Sequence, residues 1–389
     1  MGDHSVGVID APTASQAVRR FYCRVAARPV WILLVGLITV TLASSELNLA
    51  VPVWVQYIPL LSSVVILGLP HGAVDHLAPA RTAGLQVTYR GLIAIGLLYT
   101  IFGGVYGILW SFYPETSAVM FIALTWFHWG QGDLYALALL GAQYLDSRLR
   151  RVATVVIRGG LPMLVPLLAF PDDYRTIVSA WVALFGSNFE LMWLFSAPVR
   201  AGFGMVFSLL ILVTMVSDYW SASEAASGTR TAWNGKVSQT ADEKLDIHPV
   251  DVWWIDVGET VLLYVYFLVV PPLIAVGVYF CFWHSLRHII RLLAVDTGAQ
   301  AALVRGDTVQ VLIRFGREAA PLTILSFGLL SVVVILVPVT LTSTLELISM
   351  YLVFISILTL PHVIVVLFMD VSQGLWSKAA DETDIPGGV

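Results

Sequence analysis

Long apolar runs broken by short polar turns dominate the chain from about residue 29 to residue 369. Many approach the ~20 apolar residues that a helix needs to cross a bilayer. The pattern predicts spans at residues 29–46, 51–69, 91–112, 117–141, 152–170, 252–270, 272–290, 320–341 and 346–369, with a further pair of segments within 176–217. The spans must be helices, because lipid offers no partner for an unpaired backbone N–H or C=O. The predicted fold class is therefore all-α, a polytopic integral membrane bundle of eight to ten transmembrane helices. Residues 1–28 read as a cytoplasmic N-terminal extension, 29–370 as a transmembrane catalytic bundle and 371–389 as a polar, frayed C-terminal tail. One long insertion, 218–250, is rich in Ser, Thr, Ala, Asp and Glu and reads as an extramembrane loop in which His248 is solvated.

Composition strengthens this picture. Hydrophobic residues make up 58% of the 389 positions and charged residues 12%, against about 25% charged in an ordinary soluble domain; a water-soluble globule is excluded. A net charge of -5 without a Lys/Arg-rich run leaves no electrostatic footprint for nucleic acid. The two cysteines, Cys23 and Cys281, form no metal-binding spacing or disulfide framework. Arg19, Arg20, Arg24 and Arg28 precede the first apolar run. With no convincing small-residue cleavage site after it and more spans following, that run reads as a retained first span. Lys and Arg counts in short loops place the N-terminus, the Arg81–Arg90 loop, the Arg148–Arg151 loop and the Arg287–Arg317 loop on the cytoplasmic side. That assignment needs an even number of crossings, so one of the two segments within 176–217 is expected not to cross.

The chemistry concentrates in histidine. Of eight histidines, six sit in apolar segments or at their ends: His71, His76, His128, His284, His288 and His362. Ionisable side chains inside a membrane are costly and usually pair in the bundle interior or mark a functional path. His284 and His288 are four residues apart and share one helix face, about 5–6 Å between Cβ atoms. Under the predicted topology His71 and His128 reach the same inner half of the bundle. Imidazole without thiolate suits iron, copper or zinc. Asp75, Asp133 and Glu259 are expected to accept the outer N–H of ligating histidines.

Glycines crowd the same motifs, at Gly68, Gly72, Gly130, Gly132, Gly159 and Gly160. Small residues let membrane helices approach closely, and they also make room for a bulky ligand. Trp126, Phe127, Trp129, Tyr279, Phe280, Phe282 and Trp283 are the aromatic candidates for lining a tunnel for a flat, conjugated, apolar molecule. Pro271 and Pro272 break the helix ahead of the His284/His288 pair.

Taken in order, these motifs resemble the Brp/Blh family of integral-membrane carotenoid oxygenases. The resemblance rests on Gly-Leu-Pro-His-Gly-Ala-Val-Asp at 68–75, Phe-His-Trp-Gly-Gln-Gly-Asp at 127–133, and Glu259 followed by an apolar run to Pro271-Pro272. Tyr-Phe-Cys-Phe-Trp-His-Ser-Leu-Arg-His at 279–288 and Leu-Pro-His at 360–362 complete it. It implies an Fe(2+)-dependent enzyme that cleaves β-carotene centrally with O2 to two molecules of retinal, with His71, His128, His284 and His288 as the iron ligands. His76, which some family members lack, and His362 are left in supporting roles. The long 218–250 loop and the N-terminal extension resemble the longer archaeal members, whose retinal product supplies a microbial opsin. A location in the cell membrane is implied, with the bilayer as the source of the substrate.

Two other classes fit parts of the pattern. A membrane di-iron desaturase or hydroxylase would need about eight histidines in H-x-x-x-H and H-x-x-H-H boxes, whereas this chain has six candidates and one such box. A non-enzymatic retinal-delivery or opsin-assembly protein would use its histidines to bind pigment, haem or nothing, and would leave a carotenoid unconsumed.

Overall fold

The computed structural model describes residues 11–49, 51–227, 248–336 and 343–377, and its regular elements are all helical. Most of the expected 218–250 loop, the end of the expected 320–341 span and the last residues of the chain lie outside the described residues. Within them, α1 (Ala11–Phe21) runs through a π-helical turn (Tyr22–Ala27) into α2 (Arg28–Glu46). Then come α3 (Val53–Ser63), a second π-helical turn (Val64–Gly68), α4 (Leu69–Gly72), the short α5 (Ala78–Thr82), α6 (Tyr89–Phe112), α7 (Pro114–Leu140), α8 (Arg148–Ala169) and α9 (Pro171–Ala183). After a 3-10 turn follow α10 (Ala197–Ala226), α11 (Pro249–Val269), α12 (Pro272–Val278), a third π-helical turn (Tyr279–Ser285) and α13 (Leu286–Ala294). The chain ends with α14 (Thr297–Val304), α15 (Thr308–Leu336) and α16 (Thr344–Ser372).

Nine continuous helices among the described residues are long and apolar enough to cross a membrane. At 27 residues, α7 is long enough to be a tenth, about 40 Å at 1.5 Å per residue. Its hydropathy is diluted by His128, Gln131 and Asp133, all of them buried. The segment within 176–217 resolves as the sequence pattern required: α10 has 30 residues, whereas α9 has 13, about 20 Å and too short for a ~30 Å hydrocarbon layer.

Two expectations are corrected. Residues 11–28 are no separate extension; they form the inner end of the first long helix, with Val18, Phe21, Tyr22, Ala26 and Ala27 buried in the core. The C-terminal segment is not frayed directly after Asp370. Gln373 accepts from Arg291 at 2.7 Å, Trp376 donates to Asp370 at 3.1 Å, and the Leu375 carbonyl accepts from Arg151 at 3.0 Å. Buried guanidinium groups hold this segment because each needs more acceptors than its own helix offers. The expected loop also begins later than 218, since α10 continues to Ala226.

Arginines of the basic loops are met by carboxylates. Arg81 bonds Glu318 at 2.8 Å and pairs with Asp296 at 3.2 Å, and Arg150 pairs with Asp218 at 2.5 Å. Glycine sets the spacing of α7 and α8: a Cβ on Gly130 would collide with the Val155 carbonyl, and one on Gly159 with the Trp126 carbonyl. The two backbones therefore touch directly, as small residues permit in membrane bundles. With an even number of crossings, reporter tags on the two chain ends are expected on the same side of the membrane; tags reporting opposite sides would contradict this topology.

Candidate metal centre

Five histidines converge inside the bundle. His71 comes from α4, just after a π-helical turn; His128 from the middle of α7; His284 from the π-helical turn before α13; His288 from α13; and His362 from α16, after Pro361. A π-turn widens the helix by one residue and is frequent at functional sites; here two of them carry histidines to a common point. All five are buried. Ring contacts run in a cycle, His71 to His284 (5.4 Å between centroids), His284 to His128 (4.7 Å), His128 to His362 (4.7 Å) and His362 back to His71 (5.2 Å). His288 touches all four, at 5.5 Å to His71, 6.1 Å to His128, 6.4 Å to His284 and 4.9 Å to His362.

Their polar atoms point at a common gap. Both ring nitrogens of His128 and the Nε2 atoms of His284, His288 and His362 are buried without a hydrogen-bond partner. Orphaned buried nitrogens cost about 1–3 kcal/mol each, and the donor atoms gathered here are of the kind that could hold a metal ion. Nitrogens of His71, His128 and His362 lie within 4.8 Å of one another, and a second trio joins Asp75, His288 and His362. Two imidazoles on one ion span at most about 4.2 Å, with metal–nitrogen bonds near 2.1 Å. His362 belongs to both trios and His284 to neither, and the imidazole-rich donor set fits iron as well as copper or zinc.

The expected carboxylates divide. Asp75 does contact a histidine: one of its oxygens accepts from His362 Nδ1 at 2.6 Å and from the Tyr99 hydroxyl at 2.5 Å. Asp133 and Glu259, expected to support histidines, instead neutralise buried arginines. Arg287 donates to Glu259 at 2.6 Å and to Asp133 at 3.2 Å, while Arg158 donates to Asp256 at 2.7 Å and to Glu259 at 3.0 Å. Each carboxylate also takes one neutral donor: Trp283 on Asp133, Trp31 on Glu259 and Tyr144 on Asp256. The physical reason is that an unpaired buried guanidinium is far costlier than an imidazole without a carboxylate. His76 does not join the cluster; its Nδ1 lies 3.0 Å from the Ala73 carbonyl within its own turn.

A cavity of about 970 Å³ borders the cluster, at the upper end of the ~300–1,000 Å³ usual for small-molecule sites. His71, His128, His284 and His362 of the cluster line it, as do Asp75 and His76. Of the seven aromatics expected along a tunnel, Trp129 and Phe280 line it; Trp126, Phe127, Tyr279, Phe282 and Trp283 do not. Helical period explains the split. On α7, Phe121, Thr125 and His128 share the cavity face, while Trp126 turns to α8 and bonds the Val156 carbonyl at 2.8 Å. Phe280 precedes His284 by one turn, whereas Trp283 stacks under Arg287 at 3.9 Å. Most of the wall is aliphatic or glycine instead. Leu92, Gly96, Thr100 and Gly104 on α6, and Pro321, Leu325 and Leu329 on α15, line the cavity and are exposed on the outside of the bundle. They frame a lateral mouth where lipid would lie.

Comparison with known proteins now decides the family. A family profile for beta-carotene 15,15'-dioxygenase matches residues 62–370, a stretch that contains all five histidines. The chain belongs to the β-carotene 15,15'-dioxygenase family. Blh of Halobacterium salinarum strain NRC-1, a probable beta-carotene 15,15'-dioxygenase, is 42% identical over 355 residues, 90% of this chain and 95% of that one. Brp of Halobacterium salinarum strain R1, of the same probable activity, is 27% identical over 341 residues, covering 84% and 87%. The beta-carotene 15,15'-dioxygenase of uncultured marine bacterium 66A03 is 23% identical over 228 residues, 59% of this chain and 66% of that one. No solved structure matches.

The ion-pair network and Tyr99 are the features of this dioxygenase-family chain that sequence reasoning missed. Arg158 and Arg287 stand inside predicted spans, and a buried cation there must have a carboxylate partner; Tyr99 carries no motif. Glu259→Ala is expected to lower stability by about 3–5 kcal/mol, because it leaves Arg158 and Arg287 undercompensated. Thermal unfolding in detergent reads this as a lower midpoint; an unchanged midpoint would contradict the network's role.

Proposed function

We propose that this protein cleaves β-carotene at its central double bond, consuming O2 and yielding two molecules of retinal. The observation that carries this reading is the apolar cavity that joins a lipid-facing mouth to the histidine cluster. A C40 hydrocarbon resides in the bilayer, so a lateral mouth admits it without aqueous transfer. Along α7, α12 and α16 the cavity lining runs from one side up to the histidines, and α6 carries it on past Tyr99 to the mouth. Phe121 on α7 stands seven residues from His128, and Leu92 on α6 seven residues from Tyr99, each about 10 Å along a helix. A linear polyene entering by this mouth would run past the imidazoles into the apolar chamber beyond them.

A single iron fits the cluster, held by His71, His128, His284 and His288 as the family resemblance implies. When bound, iron supplies the activation of O2 that scission of a conjugated double bond into two aldehydes requires. The protein's own residues do the rest. Imidazoles as neutral donors leave the ion's charge in place. Trp129 and Phe280, ring planes 22° apart at 6.1 Å, give a flat apolar surface beside His284 for the polyene. The aliphatic wall excludes water, and the polyene's lack of polar handles leaves regioselectivity to cavity length. Retinal would leave by the same mouth into the bilayer of the cell membrane, where a microbial opsin could take it up.

Expression in β-carotene-accumulating cells, with retinal measured by chromatography, tests the reaction. Wild type is expected to make retinal, and His71→Ala, His128→Ala, His284→Ala and His288→Ala to lose it at least 100-fold; persistent carotene with no retinal from well-expressed wild type would overturn the reading. The mouth has its own test. Gly96→Phe and Gly104→Phe each place a ring at the rim, where an added Cβ meets nothing within 4 Å. Both are expected to fold normally and to cut retinal formation at least tenfold; wild-type rates in both would remove the α6–α15 mouth as the route.

A further inference from the structure

The cycle of histidine rings is incomplete without His362, which neither the spacing of the motifs nor the family's four-ligand set uses as a metal ligand. We infer that His362 is a fifth ligand of the metal, positioned by Asp75 and Tyr99; the inference rests on the reading that this cluster holds the iron. His362 closes the ring of contacts between His128 and His71, at 4.7 and 5.2 Å. Its nitrogens are assigned opposite tasks. Nδ1 is committed to Asp75 at 2.6 Å, which fixes the tautomer and leaves Nε2 as the lone-pair nitrogen. That Nε2 is buried and unpartnered, like the Nε2 atoms of His284 and His288. A carboxylate on the outer nitrogen is the usual support of a metal-bound histidine, since it fixes the ring and raises its basicity.

Asp75 is itself held. The Tyr99 hydroxyl donates to the same oxygen at 2.5 Å, and Tyr99 comes from α6, the helix that frames the mouth. Gly72 lies against this corner: a Cβ there would meet His362 Nδ1 at an ordinary contact distance of 3.6 Å. His288 touches the other four rings but does not line the cavity, whereas those four do. His288 thus stands behind the four rings that form the cavity wall, and the five imidazoles would hold the metal at that wall. His362 is a ligand in this account, and Asp75 and Tyr99 are positioning residues that act through it.

The test is X-ray absorption of the purified, iron-loaded protein in detergent, which counts imidazole nitrogens on the metal, beside iron content per chain. Wild type is expected to show one iron with five imidazoles, and His362→Ala four, with at least a tenfold weaker hold on iron. His362→Gly should regain the fifth nitrogen when imidazole is added. Asp75→Asn should keep the count at five while weakening iron retention about 10–100-fold. A wild-type count of four overturns the inference and leaves the proposed reaction standing; a wild type that takes up no iron overturns both. Because the wild-type count alone decides, a variant that fails to fold does not block the test.

Discussion

Two guanidinium groups, Arg158 and Arg287, lie inside the bundle at 0% and 4% exposure, and the placement of the histidines depends on how their charge is met. Three carboxylates answer them, each backed by one neutral donor from Trp283, Trp31 or Tyr144. The five charged members come from α7, α8, α11 and α13, so one network fixes four helices against one another. Arg287 sits between His284 and His288 in the chain, and its partner Asp133 stands on the helix of His128. Three of the histidines thus inherit their positions from ion pairs that do not touch them. Removing a single partner from such a buried network is costly because the remaining charge stays behind in a low dielectric.

The other two histidines are placed by different means. His71 follows a π-helical turn, and its Nδ1 is 3.3 Å from both the Leu67 carbonyl and the Ser285 hydroxyl. Ser285 belongs to the π-helical turn that carries His284, so the two widened turns meet at this hydroxyl. His362 is placed by Asp75 and, through it, by Tyr99. Rigid pairs on the α7, α8, α11 and α13 side face a lighter frame of α6, α15 and α16, whose exposed glycines and aliphatics leave the cavity open to lipid. That asymmetry suits a site that must hold a metal firmly and exchange a long apolar molecule sideways.

Much of this was legible in the sequence because hydropathy and the cost of buried histidine are strong signals. The spans, the short α9 and the gathering of His71, His128, His284 and His288 all follow from apolar run length, loop charge and helical spacing. The tunnel aromatics were less legible. Phe127 and Trp283 directly precede histidines in the chain and Trp126 and Phe282 stand two positions before them, about 100° and about 200° away around a helix, and face rather than closeness in sequence decides what lines a cavity. Asp133 and Glu259 face Arg287 and Arg158 rather than histidines, because a carboxylate inside the membrane goes first to the nearest buried cation. The link from Tyr99 through Asp75 to His362 joins residues far apart in sequence, and no local spacing encodes it.

The account stands on a single metal enclosed by these imidazoles at the wall of a lipid-facing cavity. Anomalous diffraction at the iron edge, from crystals of the iron-loaded protein, measures this directly. The expected result is one iron peak amid His71, His128, His284 and His288, on the side of the cluster that borders the cavity. Two peaks in the cluster, as a di-iron enzyme would give, or no peak within bonding distance of those rings, would contradict it.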